Sequence, residues 1–167
     1  TSVFSDDIET VEVFFANNQI LFRSEHISFY TRLLEGNYPD TDRLIPTEFN
    51  TEATFNVANL RFAMERARLL SNATQNGTVK LEFKNGVVSS HVHSPEVGRV
   101  NEEIDTSAVS GEDLSISFNP TYLIEALKAI DSEQVVIRFI SSVRPFTLVP
   151  EGNEQGFIQL ITPVRTN

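Results

Sequence analysis

Cysteine and tryptophan are absent from this 167-residue chain, and methionine occurs once. Without cysteine there is neither a disulfide framework nor a thiolate metal site, which fits a reducing, cytoplasmic setting. No apolar run approaches the ~20 residues that cross a bilayer as a helix, so no membrane partner is expected. The acidic, polar opening Thr1 to Thr10 has none of the character of a secretory leader. Positive charge is also scarce: 13 Lys and Arg stand against 23 Asp and Glu, a net charge of −10. That balance weighs against binding nucleic acid through simple phosphate neutralisation. A glycine-rich phosphate loop, a nucleophile elbow and a metalloprotease helix are all missing, so nothing points to an enzyme or to a bound cofactor. Hydrophobic residues make up 40% of the chain, ordinary for a globular protein.

What the chain does have is a repeat. Phe55-Asn56 opens a run to Leu70 in which Leu60, Ala63, Met64 and Ala67 fall on one helical face. Phe118-Asn119 opens a second run to Ile130, where Leu123, Ala126, Leu127 and Ile130 repeat that spacing. Asn suits the N-cap of both helices, Val57 to Leu70 and Pro120 to Ile130. A strand follows each helix, Val79 to Phe83 and Val135 to Phe139, and a third copy, Val11 to Phe15, has no helix before it. In every copy the first, third and fifth residues are apolar, so one strand face packs on a core. Turn residues come next, at Asn17-Asn18, Asn85-Gly86 and Ser141-Ser142, and each leads into another alternating strand. Further strands are expected over His26 to Leu34, Val97 to Ile104 and Gly156 to Thr162, with lead strands over Thr47 to Phe55 and Asp113 to Phe118.

This is half a unit followed by two full strand-helix-three-strand units of roughly 60 residues each. Two such units pair by laying both helices on one face of an antiparallel sheet, an α+β domain running from about Pro46 onward. The segment Glu35 to Asp40, with Pro46 beyond it, has the Gly and Pro content of a joint. The missing first helix and the absent initiator Met lead us to expect a piece of a longer polypeptide.

Charge distribution refines the picture. On the first helix Arg61, Glu65 and Arg68 lie opposite the apolar stripe, with Arg66 on the flank, so this helix is locally basic. The second helix offers Lys128 and Glu125 there. His91 and His93 share one strand face and would supply two metal ligands, but no third is identifiable. Glu102-Glu103 and Asp6-Asp7 are strand neighbours that point to opposite faces, which makes neither an acid/base pair. Phe157 to Arg165 is apolar almost throughout. It reads either as an internal strand or as the wall of an apolar groove suited to a peptide partner.

Several pieces then combine. Glu35-Gly36-Asn37-Tyr38-Pro39-Asp40 with Arg43-Leu44-Ile45-Pro46, Ala67-Arg68-Leu69-Leu70-Ser71-Asn72, Ser117-Phe118-Asn119-Pro120-Thr121-Tyr122-Leu123 and Ile161-Thr162-Pro163-Val164-Arg165 occur in this order within the duplicated unit. Together they resemble the bacterial sliding clamp, the beta subunit of DNA polymerase III, over essentially the whole chain. The resemblance implies the DNA-clamp fold, with residues 1–38 the C-terminal half of a second clamp domain, 39–46 a joint and 47–167 the third domain. It implies a non-catalytic processivity factor of the replicative polymerase, a homodimer in its full-length form. Such a ring encircles duplex DNA without reading sequence, slides on it, and docks short motifs of polymerase subunits, clamp loader and repair proteins.

On that resemblance, Pro39, Arg43 and Leu44 at the joint, Asn119 and Tyr122 at the second helix start, and Val143 and Pro145 on the following strand match the partner-peptide pocket. Leu160, Thr162, Pro163, Val164 and Arg165 complete it. Arg61, Arg66, Arg68 and Lys128 would face DNA, and Leu69 and Leu70 match the subunit interface. The competing readings are a stand-alone interaction domain using its C-terminal apolar groove with no DNA role, and a metal enzyme centred on His91 and His93.

Overall fold

The computed structural model describes residues 8–37, 40, 43–71, 77–94, 98–153 and 156–165. Pro39 and the Asp6-Asp7 pair lie outside the described residues. The chain divides into two compact units, Thr1–Asp40 and Thr41–Asn167.

In the first unit, β1 (Glu12–Phe15), β2 (Gln19–Arg23) and β3 (Ser28–Arg32) form an antiparallel meander. The Asn17-Asn18 turn is closed by Ala16 N–H donating to the Gln19 carbonyl at 2.9 Å. Glu12 sits opposite Arg23 in the ladder and accepts from its guanidinium at 2.7 and 2.9 Å. Three strands alone cannot bury both of their faces, and Phe15 and Leu34 remain 76% and 96% exposed.

The second unit contains the duplication. Its first copy is β4 (Thr51–Asn56), α1 (Val57–Ser71), β5 (Val79–Lys84), β6 (Val87–Ser94) and β7 (Gly98–Ile104). A short strand, β8 (Ala108–Gly111), leads to the second copy: β9 (Leu114–Phe118), α2 (Pro120–Lys128), β10 (Gln134–Phe139), β11 (Phe146–Pro150) and β12 (Gln159–Ile161). The antiparallel layer is divided into two sheets, ordered β12-β11-β10-β4-β8 and β7-β6-β5-β9. Each sheet therefore takes three strands from one copy and the lead strand of the other.

The register is copied too. Val135 opposes Phe55 where β10 meets β4, and Val79 opposes Phe118 where β5 meets β9. Ser107 N–H donates to the Thr54 carbonyl at 2.9 Å as β8 joins β4, and Val164 N–H donates to the Ser117 carbonyl at 2.7 Å in the matching place on β9. The C-terminal segment is thus the second copy of the approach to β8. That short strand was not anticipated from its sequence.

Both helices pack against each other and into one core. The buried face of α1 holds Leu60, Ala63, Met64 and Ala67, and that of α2 holds Leu123, Ala126 and Leu127, as their 3.6-residue spacing requires. Asn56 Oδ1 accepts from the Asn59 N–H at 3.1 Å and Asn119 Oδ1 from the Thr121 N–H at 2.9 Å, so each helix has its Asn cap. A file of phenylalanines joins the two sheets beneath the helices. Phe83 meets Phe139 at 4.8 Å between centroids, Phe139 meets Phe146 at 5.1 Å, and Phe146 meets Phe118 at 5.2 Å. Each of these side chains contributes about 1.5–3 kcal/mol on burial.

Element ends differ from expectation for local reasons. The lead strand begins at Thr51 rather than Thr47, because its partner β10 ends opposite it at Phe139; Asn50 then closes the end by donating to the Phe139 and Ile140 carbonyls. The α2 helix stops at Lys128. Ala129 and Ile130 donate back to the Ala126 and Leu127 carbonyls, a tightened last turn that sends Ile130 into the core.

Candidate functional site

The second unit carries a concavity of about 380 Å³ between the exposed side of α2 and the edge strand β12. Tyr122, Glu125 and Ala126 line it from the helix, and Gln159, Leu160, Ile161 and Thr162 from the strand. The Asn119 cap fixes where α2 begins, and the next turn presents Tyr122, which is 60% exposed. Glu125 and Ala126 follow at the helical spacings that share its face. On the other wall, Leu160 opposes Thr147 in the β11–β12 ladder. The tail beyond is held by Val164 on Ser117. Exposed Tyr122 and partly buried Leu160, set over the buried Ala126 and Ile161 and flanked by Gln, Glu and Thr, make a surface that takes up aliphatic or aromatic side chains and leaves polar atoms at its rim.

Of the residues expected in a peptide pocket, Tyr122, Leu160 and Thr162 come together here. Pro163, Val164 and Arg165 follow Thr162 in the chain but do not line the concavity; Val164 is 37% exposed and Arg165 is exposed. Asn119 has its side-chain oxygen engaged in the cap. Arg43, Leu44, Val143 and Pro145 do not line this concavity. Leu44 and Val143 are nonetheless 51% and 53% exposed. Val143 and Pro145 also precede the strand rather than lying on it: β11 starts at Phe146, and Pro145, which has no N–H to give to a ladder, ends the turn before it. Glu125, Ala126, Gln159 and Ile161 were missed, although the i+3 and i+4 spacing from Tyr122 could have found the first two.

Most cations expected to face DNA already have anionic neighbours. Arg66 donates to both carboxylate oxygens of Glu102 on β7, which holds its guanidinium further into the charged form. Arg61 lies 3.8 Å from Glu65 one turn on, and its guanidinium also sits over the Phe62 ring at 5.5 Å. Lys128 donates to Glu125 at 2.8 Å. The Arg68 guanidinium has no hydrogen-bond or ion-pair partner among the described residues, although the Arg68 carbonyl accepts from the Ser71 hydroxyl at 3.1 Å. This helix surface is positive but internally compensated, able to sit beside phosphates without clasping them.

Leu69 is 71% exposed on α1, whereas Leu70 is partly buried against the core, so the two divide between surface and interior. His91 is engaged at both ring nitrogens: Nδ1 donates to Asn101 Oδ1 at 2.8 Å, and Nε2 lies 2.9 Å from the Ser89 hydroxyl. Among the described residues no group of three or more potential metal ligands forms, and none of the helices is long and apolar enough to cross a membrane.

Two helices lying side by side on antiparallel sheets that exchange lead strands define an α+β protein of the DNA-clamp class. The family described as DNA polymerase III beta subunit, C-terminal domain, matches residues 42–165, and the chain belongs to that family. It is 79% identical over 167 residues to the beta sliding clamp of Streptococcus pneumoniae TIGR4, covering all of this chain and 44% of that protein. It is 55% identical to the beta sliding clamp of Lactococcus lactis IL1403, over 99% of this chain and 44% of the relative. The crystal structure of the DNA polymerase III beta chain from S. pneumoniae TIGR4 superposes with a TM-score of 0.88 at 80% identity, over 98% of this chain and 44% of that one. The chain thus spans less than half the length of the relatives it matches.

Proposed function

We propose that this chain is the C-terminal part of a ring-shaped, non-catalytic processivity factor that acts in the cytoplasm, encircling duplex DNA for the replicative polymerase. In this reading residues 1–38 close a second clamp domain, 39–46 form the joint and 47–167 make the third domain. The full-length protein is a homodimer, with Leu69 and the adjoining Leu70 at the subunit contact. Arg61, Arg66, Arg68 and Lys128 face the DNA. The pairing of Arg61, Arg66 and Lys128 with Glu65, Glu102 and Glu125 supports a sliding contact, since each phosphate neutralised outright would add about −0.9 to the salt slope of binding. Retention then comes from threading, not from affinity.

The observation that carries the reading is the concavity between Tyr122 and Leu160–Thr162. It suits a short extended peptide rich in Gln, Leu and Phe, of the kind through which polymerase subunits, clamp loader and repair proteins would dock. By the family resemblance Arg43, Leu44, Asn119, Val143 and Pro145 also belong to the proposed pocket, and Pro163, Val164 and Arg165 form its end. The test is titration of a fluorescent Gln/Leu/Phe-rich peptide against the chain, against Tyr122→Ala and against a form lacking residues 163–167. Each alteration should weaken binding by at least about 1 kcal/mol, some fivefold in Kd. Affinity unchanged in both would refute the site.

A further inference from the structure

The β7-β6-β5-β9 sheet has a face turned away from the helices, and its side chains are arranged for a different ligand. The ladders align Ser117, Lys80, His91 and Asn101 in one row across four strands, and set His93 beside Arg99 in the next. Lys80 alternates along β5 with the buried Val79 and Leu81, so this row lies on the outer face. Rows two residues apart on a strand are separated by about 7 Å. With Thr78 and Val92 these groups line an open concavity of about 720 Å³.

The lining is unusual for this protein. Acids outnumber bases 23 to 13 along the chain, yet among the described residues no carboxylate lines the concavity, while Lys80, Arg99, two imidazoles, an amide and two hydroxyls do. The Arg99 guanidinium and the His93 imidazole have no hydrogen-bond or ion-pair partner among the described residues. Among the described residues Lys80 reaches only Glu82, at 3.9 Å, and the other Glu82 oxygen lies 3.5 Å from His91 Nε2. Glu82, with Glu103 farther along its row, is therefore the anionic rim of a cationic hollow.

We propose that this hollow binds a chain of phosphoryl groups, carried by a nucleic-acid backbone or by a free polyphosphate. Arg99 offers the planar fork that matches phosphoryl oxygens, and Lys80 a point charge in the neighbouring row. The two rows accommodate more than one phosphoryl group. Among the described residues no aromatic ring lines the hollow, so bases find nothing there to stack on and recognition rests on the phosphates. Glu82 weakens the site by holding Lys80 and facing His91.

The test is titration of the ¹⁵N-labelled chain at low salt with tripolyphosphate and, separately, with a short oligothymidylate. Amide shifts should centre on Lys80, His91 and Arg99. Arg99→Gln and Lys80→Gln should each weaken binding about tenfold, and Arg32→Gln, on β3, should leave it unchanged. Glu82→Gln should tighten it severalfold, a gain that a poorly folded variant cannot produce. Binding of both probes means that the site reads phosphates whatever carries them; binding of one alone identifies the carrier. The proposal fails if neither probe shifts these amides, if Arg32→Gln weakens binding as much as Arg99→Gln, if Glu82→Gln does not tighten it, or if a polyglutamate peptide binds as tightly as tripolyphosphate.

Discussion

Phe139 is the point at which the two sheets depend on each other. Its ring is fully buried, 4.8 Å from Phe83 in one sheet and 5.1 Å from Phe146 in its own. Truncating a core Phe to Ala costs about 3–5 kcal/mol through lost burial and the cavity left behind. Two ring pairs at about 0.5–1.5 kcal/mol each put Phe139→Ala at the upper end, near 5 kcal/mol. Phe139→Leu keeps most of the volume and forfeits the ring pairs, so it should cost about 1–2 kcal/mol. Urea unfolding followed by far-ultraviolet circular dichroism reads the difference; with m of about 1–3 kcal/mol/M, the Ala variant's midpoint should fall by roughly 2 M or more. Should that variant be unfolded outright, the Leu variant still carries the comparison. Amide exchange adds a second readout, since β5 and β11 lie in different sheets but share this ring file and should lose protection together. A cost below about 2 kcal/mol for Phe139→Ala, or protection lost from β10 and β11 while β5 and β9 keep theirs, would refute the coupling.

Three further perturbations test other parts of the structure. Gly111→Ala should strip β8 from β4, because a Cβ there would stand 1.9 Å from the Asn50 carbonyl oxygen and φ is +99°; amide exchange of Ala108 to Gly111 should accelerate well beyond that of β10. Asn119→Ala should cost about 1 kcal/mol through loss of the α2 cap while Asn119→Asp costs little, a contrast that urea midpoints resolve. Thr147→Val should be neutral or stabilising by up to about 1 kcal/mol, because the Thr147 hydroxyl is buried and unpaired among the described residues; a clear loss in melting temperature would show that the hydroxyl has a partner.

The helices were legible because their signal is local. Phe-Asn followed by apolar residues at 3.6-residue spacing states the start, the cap and the buried face within a few turns, and both copies folded accordingly. Strand identity was legible from the alternation in Val79 to Phe83 and Val135 to Phe139. Partnership was not, because β4 meets β10 and β5 meets β9 across a whole helix or more of sequence, and nothing in a single strand names its neighbour. The division of the layer into two sheets follows from that exchange. The small residues Ala108 to Gly111 carry too little alternation to announce a strand; β8 exists because β4 has an edge to fill. Charge was half legible: composition along α1 revealed its cations, but not that Arg66 would spend its guanidinium on Glu102, 36 residues away. The concavity at Tyr122 was traceable through its resemblance and its apolar tail, whereas the hollow around Arg99 arises only when register lines up side chains from four strands.

The exchange of lead strands also determines how this unit responds to being cut. A protease that opened the link between Gly111 and Leu114 would sever the chain without separating its halves. The N-terminal piece would keep β4 woven between β10 and β8, and the C-terminal piece would keep β9 paired with β5. Each product holds the other as a hostage strand, and neither has a complete sheet to retreat to. Duplication in this chain has produced two mutually dependent parts of one folding unit, not two autonomous modules.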